Sequence, residues 1–123
     1  MKEILYNYDK LEAKDINKVV RRAKVLIMNP KDEFLVVLSH HNYFLIGGHV
    51  EDNETYDECL VREVKEEAGI TLPMEEREPF LVIRHLWKSY PTENDNTEYI
   101  AKYFCIKADI VPDMSQIELT DDE

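Results

Sequence analysis

Three glutamates, Glu63, Glu66 and Glu67, lie close together in a segment that has the pattern of an amphipathic helix. At about 100° per residue they fall within an arc of roughly 100° on that helix. Carboxylates three and four residues apart repel each other on a helix. Mg²⁺ and Mn²⁺ prefer such carboxylate oxygens, and a bound cation would turn the repulsion into attraction. The alternative is a solvated acidic face, which is common in a chain with 26 acidic residues.

The helix that carries these glutamates has start and stop signals in the sequence. Thr55 and Glu58 have the spacing of a capping box, and Gly69 stands where a left-handed C-cap is expected. Between these signals, apolar residues recur every four positions and predict the face that packs on the core. These residues are Tyr56, Leu60, Val64 and Ala68. The three glutamates adjoin this row, so they are expected at the edge of the buried face.

Glycine is concentrated around the same helix. The chain has only 3 glycines, with Gly47 and Gly48 just before the helix and Gly69 at its end. Because glycine has no Cβ, the Gly47–Gly48 backbone would be able to approach an ion or a phosphate closely. The glycines therefore support the metal interpretation of the glutamates over a solvated acidic face.

The segment GHVEDNETYDECLVREVKEEAGI, from Gly48 to Ile70, resembles the Nudix box, G-x5-E-x7-R-E-U-x-E-E-x-G-U, where U is aliphatic. All the specified positions match, which makes the motif specific. The flanking order of predicted elements is also similar to that of the Nudix family. The resemblance implies an α/β protein with an α/β/α sandwich around a mixed β-sheet, in which the box forms a loop, a helix and a second loop.

The resemblance also implies an activity. Nudix hydrolases cleave a diphosphate linkage in a nucleoside diphosphate joined to another group, by attack of water at phosphorus with the help of divalent cations. The implied partner is a small nucleotide substrate, and the implied cofactor is Mg²⁺ or Mn²⁺. Glu63, Glu66 and Glu67 match the family's metal-ligand and catalytic carboxylates. The Gly47 carbonyl matches a backbone metal ligand of some members.

Glu54 and Arg62 match a pair that braces the loop against the helix in the family, a task that suits a guanidinium fork. The general base stays open between Glu63, Glu67 and an acid from a loop. An alternative function is a catalytically silent Nudix-like module that binds a nucleotide and regulates another process. Such modules usually lose a box carboxylate, so the presence of all three glutamates favours the enzyme.

Substrate contacts are predicted at Gly48, His49 and Arg22. His49 occupies a position of the box loop that the motif leaves free, and Arg22 lies on a predicted strand from which it could bind a terminal phosphate. The alternative for Arg22 is a solvated strand face. His85 and Trp87 alternate onto one face of another strand, where Trp87 could stack on a base or serve ordinary packing.

Elsewhere, hydrophobic patterning predicts strands over 25–28, 34–38, 79–87 and 97–108, with a hairpin turn over 29–32 and a short apolar run over 43–46. Residues 1–8 allow a short strand and residues 15–20 a helical turn. The length predicts a single domain over 1–123. Many members of the Nudix family continue with a further strand and a C-terminal helix, and this domain is expected to lack part of that segment. Candidates for a distal carboxylate are Glu93, Glu98 and Glu118, each with an ordinary surface position as its alternative.

Composition excludes several classes of protein. A formal net charge of −11 argues against binding of long nucleic acids. The absence of a long apolar run and of a secretory signal predicts a cytoplasmic protein without a membrane partner. Cys59 and Cys105 lack metal-ligand spacing and are expected to be reduced, partly buried thiols. Dimers are frequent in the family that the chain resembles, which leaves a homodimer open.

Overall fold

The computed structural model describes residues 1–39 and 41–108, which form eight strands and one α-helix. The strands are β1 (Lys2–Tyr6), β2 (Lys18–Met28), β3 (Phe34–Leu35), β4 (Val37–Ser39), β5 (Asn42–Phe44), β6 (Ile46–His49), β7 (Leu81–Trp87) and β8 (Thr97–Lys107). The helix, α1, is Tyr56–Ala68, and a 3-10 turn over Ala13–Asp15 precedes β2.

Six of the strands form one mixed sheet in the order β1-β7-β8-β2-β3, and β6 also pairs with β2. β2 runs parallel to β8 over its full length and antiparallel to β6. β1 runs parallel to β7, and β7 antiparallel to β8. β4 and β5 form a separate two-stranded hairpin. The mixed sheet confirms the predicted α/β class.

Helix α1 packs against β2 and β6 on one face of the sheet. Alternate residues of a strand point to the same face, which brings the buried side chains of β2 and β6 onto the helix. They are Ala23, Val25, Ile27 and Ile46. The helix contributes Cys59, Leu60, Val64 and Ala68 to this core. No second α-helix is found within residues 1–39 and 41–108, so the other helical layer of the expected sandwich is not seen in that part of the chain.

Both predicted ends of α1 are confirmed. Thr55 Oγ1 accepts the Glu58 N–H at 3.1 Å, and Glu58 Oε1 accepts the Thr55 N–H at 3.0 Å, which completes the capping box. Gly69 has φ 68° and ψ 19°, in the left-handed region, and its N–H donates to the Lys65 carbonyl. Local sequence therefore sets the length of the helix that carries the box glutamates.

Strand boundaries differ from the prediction in three places. The expected helical turn over 15–20 is wrong for its last three residues. These residues belong to β2, which begins at Lys18 and pairs with β8 from that residue onward. The predicted strand over 34–38 is interrupted at Val36, since β3 pairs with β2 whereas β4 pairs with β5. The apolar run over 43–46 is likewise divided between β5 and β6.

Two further expectations concern the membrane and the cysteines. Within the described ranges, no helix is both long and apolar enough to cross a membrane. Cys59 and Cys105 are both free thiols, as predicted. Cys59 is buried, but Cys105 is exposed, so the expected partial burial is wrong for Cys105. The alternation along β8 explains this difference, because its neighbour Phe104 takes the buried position.

Candidate active site

The paired glycines lie in strand β6, beside α1. The antiparallel register places Gly48 opposite Ala23 and Gly47 opposite Lys24. Gly47 has φ 146°, and a Cβ at this position would collide with the Ala23 carbonyl oxygen. Only glycine suits this close backbone approach. The resemblance implied that the box begins with a loop at Gly48, but Gly47, Gly48 and His49 are all part of a paired strand, and the loop lies between β6 and α1.

The glycine backbone is in close contact with two of the box carboxylates, Glu63 and Glu67. A Cβ on Gly48 would lie 2.5 Å from Glu63 Oε1 and 2.9 Å from Glu63 Cδ. Glu63 is only 4% exposed, so its carboxylate is held against the β6 backbone. The Gly47 N–H donates to Glu67 Oε2 at 2.9 Å. The glycines and the glutamates, which are adjacent motifs in the sequence, form one contact surface in the fold.

Arg62 is the centre of a carboxylate network, which consists of Arg62, Glu54, Glu63 and Glu66. Its Nε and Nη2 donate to the two carboxylate oxygens of Glu54 at 2.8 and 3.1 Å. Its Nη1 lies 2.9 Å from Glu63 Oε1 and 3.4 Å from Glu66 Oε2. Its Nη2 also donates to the His49 carbonyl at 3.0 Å, which ties the helix to the end of β6. Glu54 and Arg62, the pair expected to brace the loop against the helix, are thus in bidentate contact.

The Arg62 guanidinium also reduces the repulsion between the helix carboxylates. From the sequence alone, a bound metal cation was expected to offset this repulsion. In the structure, the positive charge of Arg62 lies between Glu63 and Glu66 and offsets the repulsion without an ion. The carboxylate cluster is consequently compatible with a folded helix before any metal binds.

The ionic contacts shift the pKa values of the groups involved. The hydrogen bond from Arg62 lowers the pKa of Glu54 from its ordinary 4.5, although burial opposes the shift. The Glu54 hydrogen bond in turn raises the pKa of Arg62, so the guanidinium stays charged. Burial raises the pKa of the Cys59 thiol to about 12, and its Sγ lies 3.4 Å from the His49 carbonyl oxygen. Cys59 therefore contributes a neutral hydrogen bond, which the sequence did not predict.

The donor set fits a hard divalent cation by its chemistry. Glu63, Glu66 and Glu67, with the Gly47 carbonyl, offer only oxygen ligands, as Mg²⁺ prefers. The absence of a side chain at Gly48 lets the Glu63 carboxylate lie against the β6 backbone. However, no group of three His, Cys, Asp or Glu side chains is arranged to hold an ion anywhere in residues 1–39 and 41–108. Metal binding at this site would therefore need the carboxylates to move closer together than they lie in this structure.

The predicted substrate contacts fall on two sides of the sheet. Gly48 lies under Glu63, next to the carboxylate network. Arg22 and His49 are register partners in β2 and β6, and Arg22 Nη2 lies 3.2 Å from His49 Nε2. Because Ala23 faces α1, strand alternation places Arg22 and His49 on the opposite face. A substrate that contacted both Gly48 and Arg22 would therefore have to extend around the edge of the sheet at β6.

That opposite face carries a continuous row of rings, here called the aromatic row. The register aligns Tyr6 of β1, His85 of β7 and Tyr99 of β8. The predicted shared face of His85 and Trp87 is confirmed, since their rings stack with centroids 4.1 Å apart and planes 14° from parallel. Tyr8 and Tyr90 complete the row through further ring contacts. Sequence reasoning missed the row because its members come from separate strands.

The other candidate residues lie apart from the network. Glu98 forms an ion pair with Arg84 at 2.6 Å, and Glu93 lies in the exposed turn between β7 and β8. Within the described ranges, neither of them contacts Arg62. Glu118 lies outside the described residues. The distal carboxylate suggested by the resemblance is therefore not identified among these positions.

A family comparison bears directly on this arrangement. The model of the NUDIX domain matches residues 18–122. The chain belongs to the Nudix family. The match covers most of the chain and confirms the recognition made from the box residues. It supports a pyrophosphohydrolase acting on nucleoside diphosphate derivatives, and Nudix hydrolases generally use divalent metal ions.

Solved structures share the Nudix fold with this chain. The MutT protein from Methanosarcina mazei Go1 is 24% identical over 85% of this chain and 75% of that chain, with a TM-score of 0.53. The MutT protein from Bacillus halodurans is 20% identical over 72% of this chain and 56% of that chain, with a TM-score of 0.56. The dihydroneopterin triphosphate pyrophosphohydrolase of E. coli is 19% identical over 76% and 70%, with a TM-score of 0.55. No curated protein sequence matches the chain.

Proposed function

We propose that this Nudix protein is a Mg²⁺- or Mn²⁺-dependent hydrolase that cleaves the diphosphate linkage of a nucleoside diphosphate derivative, NDP-X, into NMP and P-X. Water forms the new P–O bond, the bridging P–O bond breaks, and the departing phosphate keeps the bridging oxygen. The observation that carries the proposal is the meeting of Glu63 and Glu67 with the Gly47–Gly48 backbone, at the edge of the network around Arg62.

The box residues divide into ligands and positioning residues. Glu63, Glu66 and Glu67 would hold the cation, together with the Gly47 carbonyl. A bound divalent cation would neutralise the diphosphate charge and lower the pKa of a water molecule. Glu63 or Glu67 would accept the proton of the attacking water, since both carboxylates lie at the β6 backbone where the diphosphate would bind.

Arg62 acts as a positioning residue, because its Nη1 contacts orient Glu63 and Glu66. Glu54 holds Arg62 in place through two hydrogen bonds and leaves the rest of the fork directed at the helix glutamates. Arg22 and His49 are proposed to contact the phosphates from the other face of the sheet. Gly48 would leave the room at the β6 backbone that the Glu63 carboxylate occupies and that a side chain would block.

A silent nucleotide-binding module is the second candidate function, and one observation favours it. In the described part of the chain, no three metal-ligating side chains are arranged to hold an ion. Glu63 and Glu66 contact Arg62 instead. If these contacts persisted when a nucleotide bound, the protein would bind the ligand without turning it over.

The deciding experiment measures release of NMP or phosphate from nucleoside triphosphates, ADP-ribose, nucleotide sugars and dinucleoside polyphosphates, each with Mg²⁺, Mn²⁺ or EDTA. We expect metal-dependent turnover of at least one compound. Glu67→Gln should lower kcat by about 100-fold or more, whether it loses a metal ligand or the general base. Glu51→Gln is the matched control, since Glu51 is exposed and lies 3.9 Å from Arg62.

Thermal melts separate the two candidate functions. Glu67→Gln removes one of the crowded charges, so its Tm without metal should equal or slightly exceed that of the wild type. The wild-type Tm should rise with millimolar Mg²⁺, and the variant should lose most of this rise. A metal-dependent Tm without turnover of any compound would favour the silent module. A Tm that is indifferent to the ion, together with no turnover, would contradict the metal site itself.

A further inference from the structure

Arg21 of β2 contacts both ends of the loop that connects β6 to α1. Its side chain lies on the α1 face of the sheet, two residues before Ala23. Its Nη2 donates to the Glu51 carbonyl at 2.9 Å, and its Nη1 donates to the Glu54 carbonyl at 3.3 Å. The Arg21 carbonyl in turn accepts the Val50 N–H at 2.9 Å. One residue of β2 therefore holds the loop near its first residue and near its last.

Arg21 also contacts the start of α1. Its guanidinium lies over the ring of Tyr56, the first residue of the helix, with Cζ 5.6 Å from the ring centroid. Lys102 of β8 contacts the same ring, with its Nζ 4.2 Å from the centroid. Among the described residues, no hydrogen bond joins Lys102 to the carbonyls of Glu51 and Glu54. The two cations thus share the helix start, whereas the loop carbonyls accept from Arg21.

The loop matters for the site because it contains Glu54. The Glu54 carbonyl accepts from Arg21, and the Glu54 carboxylate accepts two hydrogen bonds from Arg62. Arg62 in turn contacts Glu63 and Glu66. A shift of the Glu54 backbone would move its carboxylate, and the Arg62 guanidinium would move with it. Arg21 is therefore the first member of a series of contacts that ends at the box glutamates.

The tip of this loop needs contacts from outside to stay ordered. Its residues Glu51, Asp52 and Asn53 are all exposed. Exposed polar segments bury little apolar surface, so they open easily unless hydrogen bonds hold them. A guanidinium makes charge-assisted hydrogen bonds, which are stronger than neutral ones. Its positive charge also offsets the negative charges of Glu51 and Asp52, so Arg21 suits this task better than a neutral donor.

We propose that Arg21 is a positioning residue of the reaction, which holds the β6–α1 loop so that Glu54 keeps Arg62 directed at the box glutamates. The inference rests on the proposed function, and it adds a residue of β2 that lies outside the Nudix box. The next residue, Arg22, faces the opposite side of the sheet, where it is proposed to contact the phosphates. The two neighbouring arginines therefore have separate roles, since Arg21 supports the chemical step and Arg22 supports binding.

Kinetics of matched variants test this division. With saturating Mg²⁺, Arg21→Met should lower kcat by about 10-fold or more, as loss of an outer partner of a metal site does. It should leave KM unchanged, whereas Arg22→Met should raise KM. Arg21→Lys keeps a charged donor and should restore part of the rate. Lys102→Met also removes a cation from the Tyr56 ring and should keep the wild-type kcat. Equal losses of kcat in Arg21→Met and Lys102→Met would overturn the inference.

A double-mutant cycle shows whether Arg21 acts through Glu54. Glu54→Gln removes the carboxylate that the held loop presents to Arg62. In that background there is less left for Arg21 to position, so Arg21→Met should change kcat by less than about 2-fold. Residues that act independently would give losses that multiply. Multiplied losses of kcat in the double variant would therefore overturn the proposed route from Arg21 to Arg62.

Hydrogen exchange of backbone amides tests the loop without substrate or metal. The Glu54 N–H donates to the Glu51 carbonyl at 3.0 Å, the same carbonyl that accepts from Arg21. Arg21→Met should speed exchange of this N–H by about 10-fold and leave the Leu60 amide within α1 unchanged. Lys102→Met should change neither amide.

Exchange and turnover together distinguish failure of this inference from failure of the proposed function. If a nucleotide is hydrolysed and Arg21→Met has wild-type kcat and wild-type exchange, the inference is wrong and the hydrolase stands. If no compound is hydrolysed but exchange at Glu54 rises in Arg21→Met alone, the hydrolase is wrong and the holding of the loop by Arg21 stands.

Discussion

The β6–α1 edge and the aromatic row lie on the same sheet but are built in different ways. At the edge, charged side chains lie in close contact with one another and with the glycine backbone, as Glu63 does between Arg62 and Gly48. In the row, neutral rings such as Trp87 and Tyr90 are half exposed and contact one another at 4–6 Å. The first arrangement fixes atoms to a narrow geometry, whereas the second offers broad surfaces.

This difference follows from the free energy that the loss of a contact costs in each environment. A buried charge that loses its partner keeps the full penalty of its lost hydration. An exposed ring that loses a neighbour is covered by water at little cost. The edge should therefore tolerate few substitutions, and the row should tolerate many as far as stability is concerned. Three predictions test this contrast, in order of decreasing effect.

Gly47→Ala should have the largest effect on stability. The new Cβ would collide with the Ala23 carbonyl, and the φ of 146° is unfavourable for alanine. Together these terms should lower the free energy of unfolding by about 3 kcal/mol or more. Urea denaturation measures the change. Tyr8→Leu is the control from the row and should stay within about 1 kcal/mol of the wild type. Equal midpoints for the two variants would remove the contrast.

Arg62→Met should have an intermediate effect, because it leaves the carboxylates of Glu54 and Glu63 without their shared cation. Breaking a fully buried pair costs about 3–5 kcal/mol. Because Arg62 is partly exposed, about 2 kcal/mol is expected. A double-mutant cycle with Glu54→Gln should show coupling, since the second substitution removes one of the carboxylates left unpaired. Strictly additive losses would mean that the network does not act as a unit.

Acidification should produce the smallest of the three effects. Because the folded-state pKa of Glu54 is lowered, its contribution to stability is fully present above the ordinary pKa of 4.5 and is lost as the pH falls through the folded-state value. The stability difference between wild type and Glu54→Gln should therefore shrink as the pH falls below 4.5. Unfolding curves between pH 3 and 7 (roughly the range in which carboxylates titrate) would show it. A constant difference would contradict the Arg62–Glu54 assignment.

The box and its helix could be predicted from sequence because their determinants are local. The capping residues Thr55 and Glu58 act within a single turn, and Gly69 closes the helix through its own φ. The spacing from Gly48 to Ile70 was sufficient to recognise the family, which the NUDIX domain match supports over residues 18–122. The mixed sheet was implied by the resemblance to the Nudix family.

Only the tertiary structure decided how these segments meet. Whether Gly47 lies in a loop or a strand depends on β2, more than twenty positions earlier in the chain, and the pairing register cannot be obtained from either segment alone. The placement of Arg62 as the cation between the glutamates depends on side-chain directions across the helix and on the close approach of β6. The aromatic row likewise needs the registers of β1, β7 and β8. Hydrogen bonds within one turn are fixed by neighbouring residues, whereas contacts between distant strands are fixed only when the whole core is packed.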